Sequence, residues 1–230
     1  MKIICISDTH SLHRQIPLDW LSNEGNEIDT IIHSGDVSNT GTLQQIENFC
    51  EWYDSLNFTN KIFICGNHDW GFQKQPEAVA EIISRYPSIT YLKDSSVIID
   101  GVKIYGSPWQ PYFFNWAFNL QRGNELKEKW DLIESDCHVL ITHGPVHGLV
   151  DMTEGGEFVG CEELLDTINN RLDKMLVSVC GHIHSAHGQT YKDNKLYINA
   201  STLNERYLVA YNPIIINIDT DLGNTDIIQY

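Results

Sequence analysis

The chain has 230 residues, 42% hydrophobic and 20% charged, which is long enough to bury a core without disulfide staples and too apolar to stay disordered. Lys and Arg total 15 against 31 Asp and Glu, and the resulting −16 repels a phosphate backbone and argues against broad nucleic-acid binding. No apolar run approaches ~18 residues, so no membrane-spanning helix is expected.

The start reaches Asp8 too soon for a signal-peptide apolar region, so Ile3-Ile4-Cys5-Ile6 reads as the first strand of a cytoplasmic protein. That strand runs into Ser7-Asp8-Thr9-His10. The same layout recurs four times: Ile31-Ile32 before Ser34-Gly35-Asp36, Ile62-Phe63-Ile64-Cys65 before Gly66-Asn67-His68-Asp69, Val139-Leu140-Ile141 before Thr142-His143-Gly144, and Leu176–Cys180 before Gly181-His182-Ile183-His184. Five buried strands thus deliver polar side chains at their carboxyl ends, where open α/β sheets place ligands. Helices are expected over residues 42–54, with a Thr42-x-x-Gln45 capping box, and over 76–86, opened by Pro76 and stopped before Pro87. Two weaker ones run through Leu126, Trp130 and Ile133, and through Leu164, Ile168 and Leu172. Val97–Ile99 and Val102–Tyr105 flank Asp100-Gly101, a pair suited to a type I′ hairpin turn. Residues 195–199 and 214–218 read as further strands. The whole is expected to be one α/β domain over residues 1–230, two mixed sheets packed together with helices outside. The six cysteines form no CxxC pair and read as buried, reduced hydrophobes.

Collected, the polar strand-end residues are Asp8, His10, Asp36, Asn67, His143, His182 and His184. Carboxylate, amide oxygen and imidazole without thiolate suit Mn, Fe, Zn or Ni. Seven donors exceed one catalytic ion but suit two that share a carboxylate and hold a hydroxide between them. Each block alone is a common turn or cap. Together, in this order, they resemble the signature of the calcineurin-like metallophosphoesterase superfamily. Tyr105–Trp109, Trp116–Leu120, Gly160–Leu165 and Ile198–Ser201 further resemble its metallophosphoesterase-domain-containing branch, so the likeness covers nearly the whole chain.

The resemblance implies an αββα sandwich and a dinuclear-metal phosphoesterase. Asp8, His10 and His184 would hold one ion, with Mn²⁺ as the first expectation and Fe, Zn or Ni as others. Asn67, His143 and His182 would hold the second, and Asp36 would bridge. His68 would contact the phosphate and stabilise or protonate the leaving oxygen. Some members of the branch carry glycine at the first His of the Gly-His-x-His block; this chain keeps His182, so a fully liganded pair is expected. His13, His33, His138 and His147 lie outside any block and read as structural or surface residues, while His187 stands between a supporting role and the surface.

Protein phosphatases of the superfamily read Gly-Asp-x-x-Asp-Arg after the bridging position. Here Asn39 and Thr40 replace that second Asp and the Arg, so a bidentate grip on a phosphomonoester is missing. Two dications, two carboxylates and a hydroxide leave about +1, a match for a monoanionic diester. A phosphodiesterase of small or cyclic nucleotides is therefore expected, which fits activity associated with similar enzymes. A phosphomonoesterase is the alternative, followed by a nuclease and a non-catalytic protein-binding scaffold. Arg14, Lys74 or Arg122 folding back as a clamp stays open, as does a homodimer. The aromatic run 108–118 reads as core or lid, or as a wall against a base or apolar leaving group. The stretch Glu154–Glu157 reads as a mobile loop at the mouth of the site.

Overall fold

The computed structural model describes residues 1–21, 28–220 and 223–228, apart from the Leu18 side chain. One six-stranded sheet has the order β14-β13-β1-β2-β3-β4, with β1 Lys2–Ile6, β2 Thr30–His33, β3 Asn60–Phe63, β4 Ile89–Tyr91, β13 Ile214–Asp219 and β14 Asn224–Ile228. The second has the order β11-β12-β10-β9-β6-β5, with β5 Ser95–Ile99, β6 Val102–Ser107, β9 Val139–Thr142, β10 Val177–Cys180, β11 Gly188–Lys192 and β12 Lys195–Asn199. In both sheets the central strands are parallel; antiparallel partners close both edges of the second sheet and one edge of the first, whose other edge is the parallel strand β4. A short parallel pair, β7 Gln110–Pro111 and β8 Asn119–Leu120, stands apart.

The layering follows from side-chain alternation along the strands. In β1, Ile3 and Cys5 enter the core between the sheets, whereas Ile4 and Ile6 face the other way. There they meet α1 Leu43–Ser55, α2 Trp70–Lys74 and α3 Pro76–Ser84 through Ile46, Phe49, Phe72 and Val79. The outer face of the second sheet, through Leu140 and Tyr197, packs on α4 Asn124–Trp130 and α5 Glu162–Arg171 through Leu126, Trp130, Leu164 and Ile168. The result is the expected αββα sandwich of two mixed sheets.

Local expectations hold with instructive exceptions. Thr42 caps α1 by accepting from the Gln45 amide at 3.3 Å, but the Gln45 side chain turns away to accept from Thr40 instead of closing the capping box. The Asp100-Gly101 turn has positive φ at both positions, 50° and 82°, as a type I′ hairpin requires. Helix α3 ends at Ser84 and α4 at Trp130, short of their apolar stripes; Ile133 is buried from the turn beyond. The edge strands β11 and β14 and the brief β4 carry too few apolar residues in alternation to be seen in sequence. All six cysteines are reduced and buried. Among the described residues no helix is long and apolar enough to cross a membrane.

Gly106, on β6, sits where the two sheets press together. A Cβ there would lie 2.6 Å from Leu92 and 2.7 Å from Ile64, both in the intersheet core. Gly106→Ala is expected to lower stability by roughly 1–3 kcal/mol through overpacking. Urea unfolding midpoints of the two proteins check this.

Candidate metal centre

Parallel β1, β2 and β3 in one sheet and β9 and β10 in the other end on the same edge of the sandwich. The loops leaving them are stitched by backbone hydrogen bonds: Asp8 N to Gly35 O, His10 N to Asp36 O, and Gly181 N to His143 O, each 3.0 Å. Ser7 pairs with Ser201 as an isolated parallel bridge, and Thr202 N donates to Ser7 O, so the two sheets are fastened at this edge.

Glycine precedes the ligand positions for a steric reason. A Cβ on Gly35 would collide with the His143 ring, on Gly66 with Asp36, and on Gly181 with Asp8 and Ser7. The candidate ligands themselves hold strained backbone: φ is 53° at Asp8, 42° at His10, 53° at Asp36 and 70° at His182. Left-handed residues of this kind cluster where a site over-determines the chain, and Asp and His tolerate the region better than most.

The side chains converge. Asp8, His10 and His184 bring ligating atoms within 4.8 Å of one another; so do His10, Asp36 and His68, and so do Asp8, Asp36 and His143. His10 Nε2 lies 3.6 Å from Asp36 Oδ2 and 3.3 Å from His184 Nε2, and His184 Nε2 is 3.6 Å from Asp8 Oδ1. On the other side His143 Nε2 stands 3.4 Å from Asp36 Oδ2 and 3.0 Å from Asn67 Oδ1. Among the described residues His182 belongs to no such triad. Its ring centroid lies 5.0 Å from that of His143, and its backbone N–H donates to Asp8. Asp8 and His143 are fully buried beneath a cleft of about 580 Å³ whose lining includes His10, Asp36, Asn67, His68, His182 and His184.

These residues fit divalent cations. His143 Nδ1 donates to Ser34 O and His184 Nδ1 to Asn204 O, both 3.0 Å, so each ring turns Nε2 toward the carboxylates. Carboxylate, amide oxygen and oriented imidazole form a donor set for first-row divalent metals. The electrostatics agree. Burial alone would raise the Asp8 carboxyl, but the hydrogen bond and charge of His184, then His143 and His10, pull it well below its ordinary range. Burial likewise works against Asp36, and His143 above all brings it down. In return, against the opposing effect of burial, Asp36 lifts His143 to about 9 and Asp8 lifts His184 to about 9. Burial drops His10 to about 4 and His182 to about 3, leaving neutral imidazoles with free lone pairs.

Several further residues support the ligands. Asp69 accepts from the Val37, Ser38 and Gly66 amides and the Ser38 hydroxyl, tying two ligand loops together; burial and then Asp36 push it up to about 6. Ser201 Oγ donates to Asp8 at 2.8 Å and Asn199 Nδ2 to the Gly181 and Ile183 carbonyls. His33 accepts from Gly35 N at Nδ1 and donates from Nε2 to Thr9 Oγ1, a structural role as expected. His187 stacks on Tyr211 at 4.5 Å, away from the cleft lining.

Around His68 the absent Asp–Arg pair is replaced by other means. His68 Nδ1 donates to the Asn39 backbone carbonyl at 2.8 Å, and Trp116 stacks on the ring at 4.2 Å. The aromatic run divides accordingly: Trp109 and Phe118 pack together inward, whereas Tyr112, Phe113 and Trp116 line the cleft. Thr153, Glu154 and Gly155 are also among its lining residues. Of the three candidate clamps only Arg122 reaches the cleft, with both terminal nitrogens donating to the Val159 and Gly160 carbonyls. Arg14 pairs with Glu51 and Lys74 lies over Trp70. Sequence reasoning missed Glu205 and Tyr207, which also line the cleft.

Comparison with known proteins agrees with this edge of the sandwich. The chain belongs to the calcineurin-like phosphoesterase family, whose pattern matches residues 1–186. It is 37% identical to metallophosphoesterase domain-containing protein 1 of Homo sapiens, over 95% of this chain and 71% of that protein. Among solved structures it resembles TT1561 of Thermus thermophilus (TM-score 0.62, 12% identity, 98% of this chain and 97% of that one). It also resembles a dimetal phosphatase from Danio rerio (TM-score 0.55, 11% identity, 94% and 92%). The chain is a metal-binding phosphoesterase by family.

At pH 7 the protons on His143 and His184 must leave before those nitrogens can ligate. Uptake of Mn²⁺ or Zn²⁺ at pH 7 is therefore expected to release protons, approaching two per chain, and metal affinity is expected to rise between about pH 6.5 and 9. Titration calorimetry in buffers of different ionisation enthalpy measures this; heats independent of buffer would contradict it.

Proposed function

We propose that the chain is a dinuclear-metal phosphodiesterase acting on small phosphodiesters, cyclic nucleotides among them. The observation that carries this reading is a cleft floored by Asp8, Asp36 and His143, ringed by His10, Asn67, His182 and His184, and lacking a free cationic grip among its described lining. Asp8, His10 and His184 would hold one cation, Asn67, His143 and His182 another, and Asp36 both. Manganese is the first choice, with iron, zinc or nickel suited to the same donors. Such cations supply Lewis-acid charge that makes water acidic and screens a phosphoryl group.

The protein's own groups do the rest. Asp36 Oδ1 accepts from His68 N at 2.8 Å, so the shared carboxylate is tied to the His68 backbone. With Nδ1 donating to Asn39, His68 turns Nε2 to the cleft, where the ring in its imidazolium form would give the Nε2 proton to the leaving oxygen and keep the one on Nδ1. Tyr112, Phe113 and Trp116 form an apolar wall against the group that departs. Glu154 and Glu205 add negative charge, which disfavours a dianion further.

A phosphomonoesterase is the second reading, and Arg122 is what favours it. The partner proposed is a small-molecule phosphoester; −16 disfavours nucleic acid, and a homodimer remains compatible. Six buried thiols without a disulfide support a cytoplasmic setting. Metal analysis after reconstitution is expected to give two ions per chain. With Mn²⁺ present, kcat/KM on bis-p-nitrophenyl phosphate is expected to exceed that on p-nitrophenyl phosphate by tenfold or more. Arg122→Gln is expected to leave that ratio within threefold; a loss confined to the monoester would make Arg122 a dianion clamp and favour the second reading.

A further inference from the structure

Tyr207 holds a conformation that an aromatic residue adopts only under constraint, with φ at 57°. The constraint comes from one residue. Asn204 Oδ1 accepts from the Arg206 and Leu208 amides, Asn204 O accepts from Tyr207 N at 2.8 Å, and Asn204 N donates to Leu208 O at 2.9 Å. The same Asn204 carbonyl accepts from His184 Nδ1, so the turn is locked to a candidate metal ligand. Ladder contacts from Leu203 to Val209, and from Ala210 and Tyr211 back to Thr202, fasten its base.

The outcome of that strain is a ring set edge-on to two imidazoles, 4.8 Å from His10 and 5.4 Å from His184 between centroids. Tyr207 lines the cleft, stays 43% exposed, and among the described residues its hydroxyl has no hydrogen-bond partner. A ring serving only to cover the histidines would need no hydroxyl, and Phe would serve as well. Strain held in place beside a ligand cluster is a device for aiming a side chain.

We propose that the Tyr207 hydroxyl is a substrate-binding donor, which hydrogen-bonds a non-bridging phosphoryl oxygen on the His10–His184 side of the cleft. This rests on the phosphoesterase reading above. A neutral phenol grips an oxyanion without adding charge, which suits a monoanionic ester, and hydrogen bonds to charged acceptors are the stronger kind.

The test is Tyr207→Phe in the 230-residue, metal-loaded chain, which keeps the ring and its packing. Expected are a tenfold or greater fall in kcat/KM on bis-p-nitrophenyl phosphate and at least fivefold weaker binding of inorganic phosphate by calorimetry. Metal content and Tm should be unchanged. A Phe variant within twofold of the parent in both measurements overturns the proposal. If the parent hydrolyses no ester, the diesterase reading falls alone, and phosphate binding still decides the role of Tyr207.

Discussion

Two carboxylates, Asp8 and Asp36, are buried at the junction of the two sheets, 0% and 2% exposed, and everything near them answers to that placement. Removing a carboxylate from water costs several kcal/mol even after relaxation, so each must be met by donors or positive charge. Asp8 receives the His182 amide and the Ser201 hydroxyl, both from beyond the second sheet, while Asp36 receives the His68 amide. The donors that make burial tolerable are therefore also the fastenings between the layers. His143 and His184 supply positive charge when protonated, and a cation can take their place.

The same constraint explains the backbone. A strand ending at this edge points its next residues past the site, and turning a short side chain inward takes a left-handed residue at once. Asp8, Asp36 and His182 adopt it directly after or near the strand ends. With the loops so close, Gly35, Gly66 and Gly181 are the only residues that let neighbouring ligands fit, because any Cβ would occupy a ligand's own position. The cost of several strained residues is offset by the intersheet core behind them, where Ile3, Ile62, Val139, Val179 and Ile198 are fully buried.

What could be read from residues alone was what side chains write. Apolar runs ending in Asp, Asn or His located β1, β2, β3, β9 and β10 and named the residues that the structure brings together. Positions whose role is carried by the backbone left no mark. Asn39 looks like a lost carboxylate, but its carbonyl holds His68; Asn204 stands in no motif, but its carbonyl orients His184. Tyr207 lies outside every strand-end block, in a turn between β12 and β13, and only the closure of the chain brings it to His10. The run 108–118 resisted for another reason. Its eleven residues serve two faces, and composition cannot say that Trp109 goes inward while Trp116 stacks on His68.

The way His68 is held bears directly on which esters the cleft can favour. A carboxylate partner fixes an imidazole well but brings charge −1, and an arginine beside it brings +1 together with a fork shaped for a dianion. Here a carbonyl and an indole do the fixing, and neither carries charge. The cleft's net charge is then set by the cations, Asp8 and Asp36, with Glu154 and Glu205 at its wall and Arg122 engaged with two carbonyls. Apart from the cations the site would hold, the described lining offers a substrate oxygen no unengaged Lys or Arg. On the phosphodiesterase reading proposed above, discrimination between one and two negative charges would follow from that scarcity of fixed positive charge, since a second unpaired anion would be desolvated without compensation.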